Sequence, residues 1–228
     1  MMALAGADRL REEDPFTAGW TSIAENRLVG SQSRFEVDLN RPREKAVYLH
    51  PEDAWGLHVW KEPPPPEVIE GSLVVYDAFY EEARRLFTEL ESRFGRFVVF
   101  DLHTYNHRRE GPGGPIADVE GNPEVNLGTG TMDRNRWTPV VECFLKELSA
   151  FDFLGRQIDV RENVRFRGGQ LARWTHAHFP GSGCVLAIEI KKFFMDEWTG
   201  IPDSAQLEAI KTGLRSTIPG VLEALGEV

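Results

Sequence analysis

Two apolar runs constrain this chain more than anything else in it: RFVVFDLH, ending at His103, and GCVLAIEI, from Gly183 to Ile190. Each is short, dense in branched and aromatic residues, and bounded by glycine or polar residues. Such runs read as strands buried on both faces, and buried strands need covering layers. The segments between them supply those layers. YDAFYEEARRLFTELESRFG places Tyr76, Phe79, Tyr80, Ala83, Leu86, Phe87, Leu90 and Phe94 on one helical stripe, and Gly95 supplies the stop. Thr138-Pro139 predicts the capped start of a second helix through about Ala150. A C-terminal amphipathic helix is expected to open at Asp203 or Ser204 and to break near Pro219. Apolar strands alternating with helices predict an α/β sheet covered on both faces. EPPPPE, from Glu62 to Glu67, reads as an extended surface connector within one domain.

Composition narrows the partners. A net charge of −10 argues against nucleic acid and against an anionic membrane surface. It leaves an acidic small molecule open, because a local arginine pocket can override the global field. No apolar run approaches the roughly 20 residues of a membrane helix. The start, MMALAGADRLREED, lacks the basic and apolar regions of a signal peptide. Cys143 and Cys184 lie far apart and fit a reducing compartment, so a cytoplasmic location is expected.

Four groups of residues carry chemistry. His103 stands where an apolar strand gives out, the place where open α/β sheets hold ligands. Its imidazole can bind a metal or move a proton, and Asp101 lies on the same side of the strand to orient it. The bland alternative is a hydrogen-bonded loop histidine. Glu189 interrupts VLAIEI, and a glutamate inside a buried strand is either paired, a tuned general base, or evidence that the strand lies at a sheet edge. SRFEVDLNRPRE alternates Phe35, Val37 and Leu39, which predicts a strand ending at Asn40-Arg41. There Arg41 could grip a carboxylate through two parallel hydrogen bonds or merely face solvent. In NVRFRGGQLARWTHAHFPGSG, Gly168-Gly169 permits close backbone approach, and Arg165, Arg167 and Arg173 make the surroundings basic. His176 and His178 share a face if this stretch is a strand, where a surface or supporting role is expected. The glycine- and proline-rich stretch from Arg108 to Asn126 reads as a long functional loop.

SRFEVDLNR, FGRFVVFDLH, NLGTG, the NVRFRGG stretch and LAIEIKKFFMDE occur in the order found in the N-formylglutamate amidohydrolase family, which the chain resembles from about Ser33 to Glu197. DLNR and DLH also look like motifs of the aspartoacylase branch of the zinc carboxypeptidase-like hydrolases. The resemblance implies an α/β three-layer sandwich around a mixed central sheet, of the phosphorylase/hydrolase-like (zinc carboxypeptidase-like) type. It implies one zinc ion that activates water against an amide carbonyl. His103 matches a zinc-binding histidine, Asn40 and Arg41 match residues that hold the substrate carboxylate, and Glu189 matches the glutamate that acts as general base and then proton donor. Arg165 falls in a segment expected to border the substrate. The substrate class implied is a small N-acylated acidic amino acid such as N-formylglutamate, and the setting is amino-acid breakdown.

The pattern has one departure. Members of the family take their first zinc ligand from an N-terminal histidine, and here no histidine precedes His50. The expectation is one domain over residues 1–228 that lacks the first strand and first metal-ligand element. Glu12, Glu13 or Asp14 could lend an oxygen, and His107, His176 and His178 are substitutes without family support. Three alternatives stay open. One is an amidohydrolase; one is a carboxylate-binding homologue without metal; the third is another acyl-amino-acid hydrolase or carboxypeptidase.

Overall fold

The computed structural model describes residues 2–228. Its centre is a mixed four-stranded sheet in the order β1-β4-β2-β3, with β1 at Phe97–Tyr105, β2 at Val125–Gly128, β3 at Val160–Glu162 and β4 at Gly183–Lys191. β4 runs parallel to β1 and antiparallel to β2, and β2 runs parallel to β3. The inner position of β4 explains its sequence: every residue from Gly183 to Lys191 is buried.

Helices cover both faces. On one, Cys184, Leu186, Ile188 and Ile190 of β4 join Val98, Phe100 and Leu102 of β1 in the main core. This face packs on α4 (Thr138–Ala150), α6 (Ser204–Ser216) and α7 (Ile218–Gly226) through Val141, Phe144, Ile210, Leu214 and Val221. Each such side chain, fully buried, contributes about 1.5–3 kcal/mol of transfer free energy. On the other face, Phe97 and Val99 pack with Ala83 and Phe87 of α3 (Pro66–Phe94) and with Trp174 of α5 (Gln170–His178). Farther along β1 that same face carries Asp101 and His103 instead of apolar residues, as the alternation of a strand requires.

Several expectations need correction. α3 begins at Pro66, well before Tyr76, because the last proline of EPPPPE is pre-set for the first helical turn. Thr138 opens α4 from inside the helix, where its hydroxyl donates to the Arg134 carbonyl and caps nothing. Asp203 does cap α6, accepting from the N–H groups of Ala205 and Gln206, and Pro219 lies at the start of α7. The alternating stretch at Phe35, Val37 and Leu39 is not a strand but a series of turns closed by Glu36 and Val37 N–H donating to the Ser33 carbonyl. Phe35 and Val37 are buried all the same, against loop residues and α3. His176 and His178 lie on α5, so they do not share a strand face.

Candidate active site

His103 and Glu189 are register partners on adjacent parallel strands, so their side chains leave the same face of the sheet together. Asn126 of β2 sits opposite Glu189 on its other side, which sets three polar residues in a row across the sheet. The row lies toward the carboxyl ends of β1 and β4, where the apolar packing of α3 and α5 stops. Glu189 is only 8% exposed. Burial pushes its carboxyl group up to about 7, against the pull of the neighbouring His103.

Both ring nitrogens of His103 meet carboxylates. Nε2 is 2.9 Å from Asp101 Oδ1, and Nδ1 is 3.5 Å from Asp14 Oδ2. The first is a hydrogen bond; the second is too long for a good one and is an ionic contact. Burial opposes charge on the ring, but the Asp101 carboxylate outweighs it and holds the imidazole pKa well above its usual value. Asp14 is buried too, yet His103, Arg34 and the Thr104 N–H keep its carboxyl group well below the ordinary carboxylate range. Thr104 N–H donates to Asp14 Oδ1 at 2.6 Å.

A chain of charges runs from this pair to Arg41. Arg34 lies 3.7 Å from Asp14 and 3.2 Å from Asp38. Asp38 is almost fully buried and organises the DLNR turn: its Oδ1 accepts from Asn40 N–H at 2.9 Å, and its Oδ2 accepts from the Tyr48 hydroxyl. Arg41 Nε is 3.8 Å from the same Oδ2, and its side chain is 40% exposed, so the guanidinium retains free donors. Helix α3 clamps this turn, with Tyr80 donating to the Leu39 carbonyl and Tyr76 to the Arg41 carbonyl.

Asn40 holds the start of α5. Its Oδ1 accepts from Gln170 N–H at 2.6 Å, and a Cβ on Gly169 would overlap the Asn40 side chain. Gly128 meets Gly168 in the same way: a Cβ there would stand 2.5 Å from the Gly168 nitrogen. The glycines of NLGTG and FRGG thus let one loop lie flat on the sheet. Asn126, wholly buried, fastens that loop: its Oδ1 accepts from Arg165 N–H and its Nδ2 donates to the Phe166 carbonyl. The Arg165 guanidinium lies over the Tyr105 and Phe166 rings, beside the polar row.

His103, Glu189, Asp14 and Asp101 therefore converge, and Arg41 joins them through Asp38 and Arg34. The other histidines stand apart. His176 is half-buried and bonded to Thr131 and to Val185 N–H, and desolvation drops its pKa to about 4. The His178 ring bonds the Trp174 carbonyl at the end of α5. His107 is half-buried, with burial lowering its pKa. Arg34, Asp38, Tyr48 and Asn126 belong to the arrangement and were not singled out from sequence. The buried Asp of DLNR was the available signal, since an aspartate between Val37 and Leu39 must be satisfied by partners.

A family model described as N-formylglutamate amidohydrolase matches residues 1–195. A crystal structure of N-formylglutamate amidohydrolase from Ralstonia eutropha JMP134 aligns with a TM-score of 0.69 at 16% identity, covering 98% of this chain and 86% of that one. A gene product from Agrobacterium tumefaciens aligns with a TM-score of 0.55 at 17% identity, covering 85% of this chain and 69% of that one. At such identities the likeness is one of fold. No curated protein matches the sequence.

Proposed function

The chain belongs to the N-formylglutamate amidohydrolase family, and on that premise we propose that it hydrolyses the amide bond of an N-acylated acidic amino acid, N-formylglutamate foremost. The observation that carries this reading is the side-by-side projection of Glu189 and His103. Kinship with the zinc carboxypeptidase-like hydrolases is part of the same proposal.

The family implies a zinc ion, and the residues fit one in part. Two ligands on a tetrahedral zinc stand about 3.4 Å apart, given metal–ligand distances near 2.0–2.1 Å. His103 Nδ1 and Asp14 Oδ2 are 3.5 Å apart. The Asp101 contact at Nε2 is the carboxylate support that metal-bound histidines ordinarily have. The set stops at two protein ligands, whereas a catalytic zinc takes about three. Among the described residues, no group of three His, Cys, Asp or Glu is arranged around one point. Asp14 and His103 would hold the ion, which when bound polarises an amide carbonyl and acidifies water.

The chain's own residues supply the rest. Glu189, poised near neutrality, takes a proton from water and returns it to the leaving nitrogen. Arg41 fixes a substrate carboxylate, and the Asp38 turn fixes Arg41. Arg165, held over two aromatic rings, offers a second cation for an acidic side chain. The incomplete ligand pair favours a second reading, a carboxylate-binding homologue without turnover. Formate release from N-formylglutamate, measured with and without added zinc, separates the two. Turnover supports the hydrolase; tight binding without turnover supports the binding protein.

A further inference from the structure

Lys192 has no part in the chemistry above, yet it is only 1% exposed. Lysines are almost never so buried unless something holds the charge. Its ammonium donates to the Arg11 carbonyl and, at 3.1 Å, to Asn106 Oδ1. Asn106 in turn donates its amide N–H groups to both Glu12 oxygens at 3.1 Å. Three segments meet at this one nitrogen: the segment leading to Asp14, the one leaving His103 and the one leaving Glu189. Burial depresses the Lys192 pKa to about 8, while the charges of Asp14, Glu197 and Glu12 oppose that shift.

Residues 11–14 belong to no strand, so their place beside the sheet depends on such bonds. Thr104 N–H reports on that place directly, because it donates to Asp14 Oδ1, and β1 is an edge strand with β4 as its one strand neighbour among the described residues.

We infer that Lys192 is a positioning residue: its ammonium tethers residues 11–14 to the end of β1, and so keeps Asp14 beside His103. This rests on the reading of the site given above, but its test needs no turnover. A lysine that merely neutralised nearby carboxylates would affect stability throughout when removed. A tether, when cut, releases one segment and leaves the sheet protected.

Amide hydrogen exchange on the full chain separates these. In Lys192→Met, Thr104 N–H should exchange about tenfold faster or more, as expected for one local opening, while Val99 of β1 and Ile188 of β4 keep the parent rate. Lys192→Arg should restore part of the protection. If the parent hydrolyses N-formylglutamate, Lys192→Met should lower kcat more than it raises KM. Thr104 exchange at the parent rate in folded Lys192→Met overturns the inference, as does faster exchange spread evenly over the sheet. Should Lys192→Met fail to fold, Asn106→Ala made in a Glu12→Ala protein, where the direct Asn106–Glu12 bonds are already gone, removes one of the two acceptors of Lys192. It should speed Thr104 exchange to a smaller degree, and an unchanged rate there is equally fatal.

Discussion

Glu189 and His103 face each other across one rung of a parallel ladder, so a carboxyl group that burial raises to a pKa of about 7 lies next to an imidazole whose pKa two aspartates hold well above its usual value. Function and stability pull in opposite directions at this rung.

The first consequence is thermodynamic. The Glu189 carboxyl group has a pKa of about 7 in the fold and an ordinary value of 4.5. Between those values the folded protein binds more protons than the unfolded chain, so this group's contribution falls as pH rises through that window. Below it the group costs nothing; above about pH 7 the full penalty is present. Glu189→Gln should therefore stabilise the protein relative to the parent at pH 8, by up to about 3 kcal/mol. The gain should vanish near pH 4. Urea unfolding at the two pH values measures it.

Arg41 lies at the other end of the charge chain and keeps exposed donors. Removing a charge-assisted pair costs about 1.5–3 kcal/mol, so Arg41→Ala should raise KM for N-formylglutamate roughly 10- to 100-fold with a smaller change in kcat. Arg41→Lys should not restore the parent value, because an ammonium cannot form two parallel bonds. Steady-state kinetics decides this, and an unchanged KM removes Arg41 from the substrate.

The backbone at Gly169 has no room for a side chain because Asn40 occupies it. Gly169→Ala should destabilise by about 1–3 kcal/mol, the usual range for overpacking. In an Asn40→Gly background the same change should cost clearly less. Thermal midpoints of the four proteins form the cycle that shows this coupling.

Metal affinity tests the pair at Asp14 and His103. A ligand imidazole must be neutral at the bonding nitrogen, so zinc uptake should release protons and tighten as pH rises. Titration calorimetry in two buffers of different ionisation enthalpy counts those protons. His103→Ala should abolish the uptake, and equal zinc content in mutant and parent by elemental analysis takes His103 out of the site.

Much of this was legible in the residues. RFVVFDLH and GCVLAIEI are strands because their apolar density leaves no other economical burial, and the helical stripe around Tyr76 and Phe87 is real. The turn at DLNR was misread, because Phe35 and Val37 alternate as a strand does while the backbone folds back on Ser33. Burial of alternate residues does not require a ladder. Arg34 and Asn126 escaped notice, and Asp14 stood out only as one of three neighbouring acids, for a different reason. Each acquires its role from partners distant in the chain: Asp14 from Thr104, Arg34 from Asp14, Asn126 from Arg165. No local pattern marks such residues. The short β2 and β3 also lack any periodic signature, since their burial comes from β4 and the loops around them.

Formate release from N-formylglutamate by the parent and by Glu189→Gln, followed from pH 5 to pH 9 with zinc present, bears most directly on the whole account. The parent should turn the substrate over, with kcat/KM rising with pH as Glu189 loses its proton. Glu189→Gln should be slower by at least about a hundredfold, the scale of a lost general base. Equal rates in the two proteins across that range would contradict the assignment of Glu189 as the base.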